Sequence, residues 1–180
     1  MSHVELRPNP GNVECEIFNP QTTKWAQVKD AVMQVERRAF EPNHAEKEED
    51  VQKWFEDEGN VIVFLKSAQG SLLGYALFFH PESSGIPDDV KGGKIKEGET
   101  AYGASIAVLP QFQGKQLLGP LGLAAHTELK RRGYKYIEGH ATVGHGWANH
   151  IEVENGDRIL ETREVQRAPY GLQRFYRMAL

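Results

Sequence analysis

The residues from Ile106 to Gly119 have the types and spacing of a phosphate-binding turn. An apolar run ends at Pro110, the sequence Gln-Gly-Lys occupies positions 113–115, and apolar residues then recur with a helical period. This order predicts a strand, a tight turn and a helix. A helix N-terminus has unpaired backbone N–H groups and a partial positive charge, which suit a pyrophosphate group, and Lys115 could add a counter-charge. The alternative is a strand–helix connection that binds nothing.

Three histidines at intervals of five residues lie at the end of the next predicted strand and beyond it. His140, His145 and His150 are candidates for a general base, because the ordinary imidazole pKa lies close to neutral pH. An interval of five residues places neighbouring histidines on different faces of a strand or helix, so we expect no metal site. His145 is the candidate base that we select from the three. The alternative is a hydrogen-bonded surface histidine.

The motif Val-x-Pro-x-Phe-Gln-Gly-Lys, at positions 108–115, resembles the acetyl-CoA motif of the GNAT superfamily of N-acetyltransferases. The sequence Arg-Arg-Gly-Tyr, which ends the following helix, and the upstream order of elements are also similar to that family over roughly residues 14–143. The resemblance implies acetyl-CoA as co-substrate and transfer of its acetyl group to a primary amine by direct attack in a ternary complex. The alternative is a non-catalytic acyl-CoA-binding module or an interaction protein.

The resemblance also implies which backbone groups bind the coenzyme. The pantetheine arm is expected to pair with the backbone of Ile106, Ala107 and Val108. The pyrophosphate is expected to bind the backbone amides of Gln113, Gly114, Lys115, Gln116, Leu117, Leu118 and Gly119. A strand N–H near Ile106 or Ala107 would stabilise the oxyanion. Gln116 and Leu118 stand where the family usually has small residues, so we expect weaker binding or a displaced pyrophosphate.

Catalytic roles for Tyr176 and Glu99 follow from the same resemblance. The segment around Tyr176 is similar to a late helix of the family in which a tyrosine faces the coenzyme sulfur, so Tyr176 would protonate the departing thiolate. Glu99 precedes a strand at a place where the family often keeps a carboxylate, and it would accept the proton of the amine. Phe40 and His44 would line the acceptor pocket. The alternatives are a core tyrosine and a solvated glutamate.

Hydrophobic periodicity predicts the elements that position these residues. The predicted elements are a strand at 14–19, helices at 24–40 and 45–58, strands at 61–66, 72–80 and 100–109, a helix that ends at Gly133, and a strand at 134–143. Asn155-Gly156 predicts a hairpin over Ile151–Val165, and spaced apolar residues predict a helix over Leu172–Ala179. The fold class is therefore α/β with a mixed α+β sheet, GNAT-like with an atypical C-terminal hairpin and helix. A single domain at 14–180 follows an N-terminal tail at 1–13.

Composition and charge restrict the classes of partner. The chain of 180 residues has one cysteine and a formal net charge of −4, so no global positive field would attract nucleic acid or an anionic membrane. A small-molecule or peptide amine is the expected acceptor. The single thiol and an N-terminus without an apolar core predict a cytoplasmic protein. Because the predicted C-terminal helix is followed by no further strand, either the predicted hairpin replaces the last strands of the family or a partner supplies them, and the second alternative predicts a homodimer.

Overall fold

One mixed sheet of seven strands organises the chain. The computed structural model describes residues 12–90, 98–143, 146–168 and 170–180. The strands are β1 (Val13–Ile17), β2 (Val61–Ser67), β3 (Leu72–Phe79), β4 (Thr100–Val108), β5 (Tyr136–Thr142), β6 (Ile159–Arg167) and β7 (Gly171–Ala179), and the helices are α1 (Trp25–Ala39), α2 (Glu48–Glu56), α3 (Leu118–Arg131) and α4 (Gly146–Asn155). The strand order is β1-β2-β3-β4-β5-β7-β6, and only the β4–β5 pair is parallel. None of the helices in these ranges is long and apolar enough to cross a membrane.

Helices cover both faces of the sheet. Residues of α1 and α2, such as Val32 and Phe55, pack with one set of strand residues, and α3 packs with the opposite set. Ile137 and Ala141 point to the same side of β5 because they are four residues apart in a strand. Ile137 packs against α3 and Ala141 against α4, so α3 and α4 share a face. We call the two sides the α1/α2 face and the α3/α4 face.

The eight elements that the sequence predicts before residue 143 are all present, with small shifts at their ends. The α1 and α2 helices bury stripes that include Trp25, Val32, Val51 and Phe55. In contrast, β2 is apolar and buried at five consecutive positions, because helices cover both sides of it. The mixed α/β fold class is therefore confirmed for the described part of the chain.

The predictions for the C-terminal region are wrong in both elements. Residues 146–155 form α4 rather than the first strand of a hairpin over Ile151–Val165, and Asn155-Gly156 ends this helix. The predicted helix over Leu172–Ala179 is the strand β7. β7 lies between β5 and β6 and is covered on both faces. Its adjacent residues Phe175 and Tyr176 are therefore both buried, on opposite sides of the sheet. Together with Leu172 and Ala179, these two residues occupy positions that would also form one apolar face of a helix.

The strands that a partner was expected to provide are present in the chain itself. β6 and β7 form an antiparallel hairpin, and β7 pairs along the whole of β5. No second chain is needed to complete this sheet, and the homodimer stays a prediction.

β3 and β4 approach closely at Gly74. A Cβ atom at this position would lie 2.4 Å from the carbonyl oxygen of Ala107 and 3.0 Å from Cγ2 of Val108. A backbone oxygen cannot move without displacing its strand, so a side chain at Gly74 would push the end of β4 away from β3. The helical residue Gly122 differs, because a Cβ atom there would meet nothing within 4 Å.

Replacing Gly74 with alanine should lower the free energy of unfolding by about 1–3 kcal/mol, because the new methyl group overlaps β4. The matched variant Gly122→Ala should raise it by about 0.5–1 kcal/mol, because alanine favours a helix interior. Urea denaturation of both variants measures the two changes. Equal effects of the two substitutions would contradict this close packing of β3 and β4.

Candidate functional site

β4 and β5 are paired only along their first residues. The parallel register extends from Thr100 opposite Tyr136 to Gly103 opposite Gly139. Beyond this point β4 continues to Val108, while β5 continues beside β7. The two strands therefore diverge after Gly103 and Gly139, and no strand in the described ranges covers this edge of β4. We call the gap between them the β4/β5 opening.

A β-bulge lies at the point of divergence. Leu77 pairs with Ser105 but its neighbour Phe78 pairs with Gly103, so Ala104 is an extra residue in β4. A bulge bends its strand and increases the local twist. This bend accounts for the separation of β4 from β5.

The backbone groups that face the opening alternate along β4. The N–H of Leu109 donates to the carbonyl of Leu73 at 2.9 Å, on the β3 side. Since antiparallel ladder bonds involve every second residue, Ala107 also directs its backbone to β3, and Ile106 and Val108 direct theirs to the opening. The carbonyl of Val108 accepts a bond from the Gln113 side chain at 2.9 Å. Both backbone groups of Ile106 and the N–H of Val108 thus face the β4/β5 opening, whereas those of Ala107 face β3.

The turn after β4 presents a row of backbone donors. Pro110–Phe112 forms a single 3-10 turn, after which Gly114 adopts a φ of +71°. The N–H groups from Gly114 to Gly119 precede the first backbone hydrogen bond of α3, which the N–H of Leu121 donates to the carbonyl of Leu117, so none of them is part of the helical ladder. Pro120 has no N–H, so α3 itself contributes only the donors of its first two residues. Donors converging at a helix N-terminus form an anion-binding site.

The side chains of this turn leave the donors accessible. The side chain of Leu118 packs against the core of the α3/α4 face. Gln116 adopts a φ of +59°, a left-handed conformation that favours glycine. The ammonium group of Lys115 is buried 5.4 Å from the ring centroid of Phe112 and has no hydrogen-bond acceptor in the described residues. It could therefore pair with an anion bound by this turn.

Three polar side chains meet beside the opening on the α1/α2 face. The hydroxyl oxygen of Tyr102 lies 3.0 Å from Nδ1 of His140, and Nε2 of His140 lies 3.4 Å from a carboxylate oxygen of Asp89. Burial, followed by the charge of Arg167, lowers the pKa of His140 to about 4. The imidazole is therefore neutral at pH 7. Burial also raises the pKa of Tyr102 to about 12, so its hydroxyl stays protonated.

The comparison of the sequence with known families identifies the chain. The family described as Acetyltransferase (GNAT) family matches residues 29–145, which include the β4/β5 opening and the turn. The chain belongs to the GNAT acetyltransferase family. No curated protein matches its sequence.

Solved GNAT structures share this fold. The yncA protein of Salmonella typhimurium, solved with its cofactor acetyl-CoA, has a TM-score of 0.61 and 16% identity, with 94% of this chain and 95% of that chain covered. The PaiA N-acetyltransferase of Thermoplasma acidophilum, in complex with coenzyme A, has a TM-score of 0.63 and 9% identity, with coverage of 94% and 99%. An N-acetyltransferase from Staphylococcus aureus Mu50 has a TM-score of 0.63 and 18% identity, with coverage of 94% and 99%. Family and fold imply acyl-CoA-dependent acetyl transfer.

In this GNAT chain, Tyr176 lies next to the divergence point on β7. It pairs with Gly139, and its side chain is buried on the α3/α4 face. Its hydroxyl donates to Oε1 of Glu152 in α4 at 2.8 Å. Burial and this carboxylate raise the pKa of Tyr176 to about 12, so the phenol holds its proton at neutral pH.

Glu99, the first of the two predicted bases, is not brought to the opening. Glu99 precedes β4 at the end opposite the turn, where its carboxylate lies 2.5 Å from the ammonium of Lys135. Ile106 lies seven positions further along the chain, roughly 23 Å away at a strand rise of about 3.3 Å per residue. His145 lies outside the described residues.

The connection between α1 and α2 reaches the C-terminal hairpin, as a shared acceptor pocket would require. Phe40 packs against the core of the α1/α2 face. The ring centroid of His44 lies 5.2 Å from that of Tyr170, in the turn between β6 and β7. The hydroxyl of Tyr170 donates to a carboxylate oxygen of Glu46 at 3.1 Å. Phe40 and His44 thus lie on the same side of the sheet as Tyr102 and His140.

Sequence reasoning missed Tyr102 and Asp89. Tyr102 looks like an ordinary aromatic core residue of a strand, and Asp89 lies in a loop without a motif. His140 is one of the three candidate histidines, but the alternation of side chains along a strand predicts that it faces the opposite side from His145, the one selected. Tyr102 and His140 come together only because β4 and β5 pair in parallel, and no local sequence pattern indicates that pairing.

Replacing Gln116 with glycine should raise the free energy of unfolding by roughly 0.5–1 kcal/mol. The relief of left-handed backbone strain is about 1–2 kcal/mol and exceeds the entropic cost of glycine, about 0.5–1 kcal/mol. Gln116→Ala keeps the Cβ atom and should change stability little. Chemical denaturation distinguishes the two, and a stabilising alanine would show that backbone strain is not the cause.

The buried neutral His140 should make stability depend on pH. Its folded pKa of about 4 lies below the ordinary value of 6.5, so the unfolded chain binds more protons between these values. The stabilisation is complete above pH 6.5 and is lost as the pH falls toward 4. The Tm of the wild type should therefore fall more steeply over this range than that of His140→Gln. Parallel Tm curves for the two proteins would contradict a neutral buried imidazole.

Proposed function

We propose that the protein is an acetyl-CoA-dependent N-acetyltransferase that acts on a primary amine by direct attack in a ternary complex. The observation that carries the proposal is the β4/β5 opening, which leads directly into the row of N–H donors from Gly114 to Gly119. Similar structures were solved with acetyl-CoA or with coenzyme A, which supports the same ligand here.

The residues of the opening fit an acyl-coenzyme A. A pantetheine arm is extended and carries amide groups, so it can pair with the backbone of Ile106 and Val108 in the manner of an added strand. The donors from Gly114 to Gly119 suit the pyrophosphate, and Lys115 provides a positive charge beside them. When bound, the coenzyme supplies an acetyl group activated as a thioester.

Charge on the α1/α2 face supports an amine as acceptor. Glu36 is buried, and its carboxylate accepts hydrogen bonds from the N–H of Glu46, at 2.9 Å, and from the hydroxyl of Tyr75. Burial raises the pKa of both Glu36 and Glu46. No lysine or arginine in the described ranges forms an ion pair with either carboxylate. A cationic amine beside these carboxylates would favour their ionised forms and pair with them, with Phe40 and His44 among the walls of its pocket.

The base that the geometry supports best is His140. An amine is mostly protonated at neutral pH and must lose a proton before it attacks a thioester. His140 is neutral, lies one residue beyond the divergence point, and is connected through Tyr102 to the α1/α2 side of the opening. Glu99, at the opposite end of β4, lacks this proximity.

Tyr176 is the proposed acid. It keeps its proton at neutral pH and lies beside Gly139, where the strands diverge. Its partner Glu152 belongs to α4 and fixes the direction of the hydroxyl. The departing thiolate would take the phenolic proton.

Tyr176→Phe and His140→Gln should each lower kcat by about 100-fold, the order expected for loss of a general acid or base. The measurement follows free thiol release from acetyl-CoA with a panel of monoamines, polyamines, amino acids and peptides. Calorimetric affinity for CoA should stay within about twofold of wild type, because neither side chain belongs to the turn. Tyr134→Phe removes a hydroxyl two residues before β5, away from the opening, and should retain the rate.

The outcomes of these measurements distinguish the proposed enzyme from its two alternatives. Wild-type protein that binds CoA but transfers to no amine would support a non-catalytic acyl-CoA-binding module. Absence of any thermal shift with CoA would instead favour an interaction protein.

A further inference from the structure

Both ring nitrogens of His140 are directed to other side chains of this chain. The side chain of His140 is only 2% exposed, with Tyr102 next to Nδ1 and Asp89 next to Nε2. At 3.4 Å the contact with Asp89 is longer than an ordinary hydrogen bond, and no acceptor in the described residues satisfies this buried nitrogen. A buried polar atom without a full partner needs an explanation, because its desolvation is costly.

We propose that Asp89 is a positioning residue for His140, and that Tyr102, His140 and Asp89 form a relay that conducts the acceptor's proton to solvent. This inference rests on the proposed function. The arrangement follows the general logic of catalytic triads, in which a base contacts the reacting group on one side and an orienting carboxylate on the other. Here the group that would face the amine is the hydroxyl of Tyr102.

The proton balance of this relay is simple. The ammonium of the acceptor gives one proton to the oxygen of Tyr102, as the Tyr102 hydroxyl proton moves to Nδ1 of His140. The Nε2 proton of the resulting imidazolium leaves toward Asp89 and solvent, and before the next turnover the imidazole loses its Nδ1 proton and takes one proton at Nε2 from solvent, which restores the starting tautomer. The neutral amine then forms the C–N bond as the C–S bond breaks. Tyr176 gives its proton to sulfur and recovers one from the nitrogen, so one proton is released per turnover.

A charged cavity lies where such a proton would leave. It has a volume of about 150 Å³ and is lined by Asp89, Phe175 and the charged residues Glu138, Glu161, Arg163 and Arg177. It is polar and large enough to hold more than one water molecule. The ring of Phe175 lies 5.3 Å from that of His140, so the cavity is adjacent to the relay. Asp89 belongs both to the cavity wall and to the surroundings of His140.

The charges around His140 make Asp89 the decisive group. Tyr102 faces the imidazole from β4, Arg163 and Arg167 of β6 oppose its protonation, and Asp89 from the β3–β4 connection favours it. A guanidinium nitrogen of Arg167 lies 3.7 Å from Asp89, and the same side chain donates to Gln173 at 3.1 Å. Without Asp89, the imidazolium would face two arginines and no described carboxylate among these groups.

The test uses Asp89→Asn, which keeps the shape and removes the charge, with the exposed α1 residue Asp30→Asn as its control. We expect kcat to fall roughly 10- to 100-fold in Asp89→Asn with the acceptor KM unchanged, because proton transfer and not binding is affected. Asp89→Gly should show the same loss, and added formate should restore part of the rate. A rate equal to that of Asp30→Asn, or a loss that formate does not restore, would overturn the relay.

A second measurement does not require turnover. In an NMR titration the pKa of His140 should fall further below its value of about 4 when Asp89 is replaced by asparagine, because the favourable negative charge is removed. An unchanged titration would show that Asp89 does not act on the imidazole, even in an active enzyme. A shifted titration in a protein that transfers no acetyl group would leave the electrostatic contact intact but overturn the relay together with the proposed function.

Discussion

The extra residue Ala104 in β4 is the constraint on which the site depends. Without the bulge, β4 and β5 would pair along their whole length, and the backbone of Ile106 would be satisfied by a neighbouring strand. With it, the two strands diverge, one edge of β4 becomes available to a ligand, and the turn before α3 follows directly. The same divergence brings Tyr102 and His140 to the rim of the opening on the opposite side from α3. The proposed coenzyme binding and the proposed proton transfer thus depend on one irregularity in the sheet.

The part of the fold that the sequence predicts best is the part in which each element has one buried face or a continuous apolar run. α1 is recognisable from its stripe, and β2 from five buried apolar residues in succession. The C-terminal region lacks such signals, since α4 has no strong apolar face and β7 is covered on both sides. The pattern of apolar residues around Phe175 and Tyr176 therefore fits a helix as well as a strand that is buried on both faces.

The candidate site likewise has one part that the sequence predicts and one part that it does not. The donors of the turn are predictable because Pro110 and Gly114 act locally, on residues next to them in the chain. The cluster of Tyr102, His140 and Asp89 joins β4, β5 and a loop, and only the tertiary arrangement of these segments brings its members together. The assignment of Glu99 followed from its place before a strand, whereas the opening lies at the strand's other end.

The pairing of β5 with β7 has a consequence for the tolerance of this chain to change. Gly139 faces Tyr176 and His140 faces Phe175, so neighbouring rungs of one ladder hold the proposed acid and the aromatic neighbour of the proposed base. Deleting a single residue from β7 would invert the sides on which its side chains emerge, and would exchange these two rings across the sheet. The connection between α4 and β6 is not paired in a ladder, so a change in its length does not exchange the faces of a strand. Length variation should therefore accumulate there over evolution, while β7 should keep its residue count.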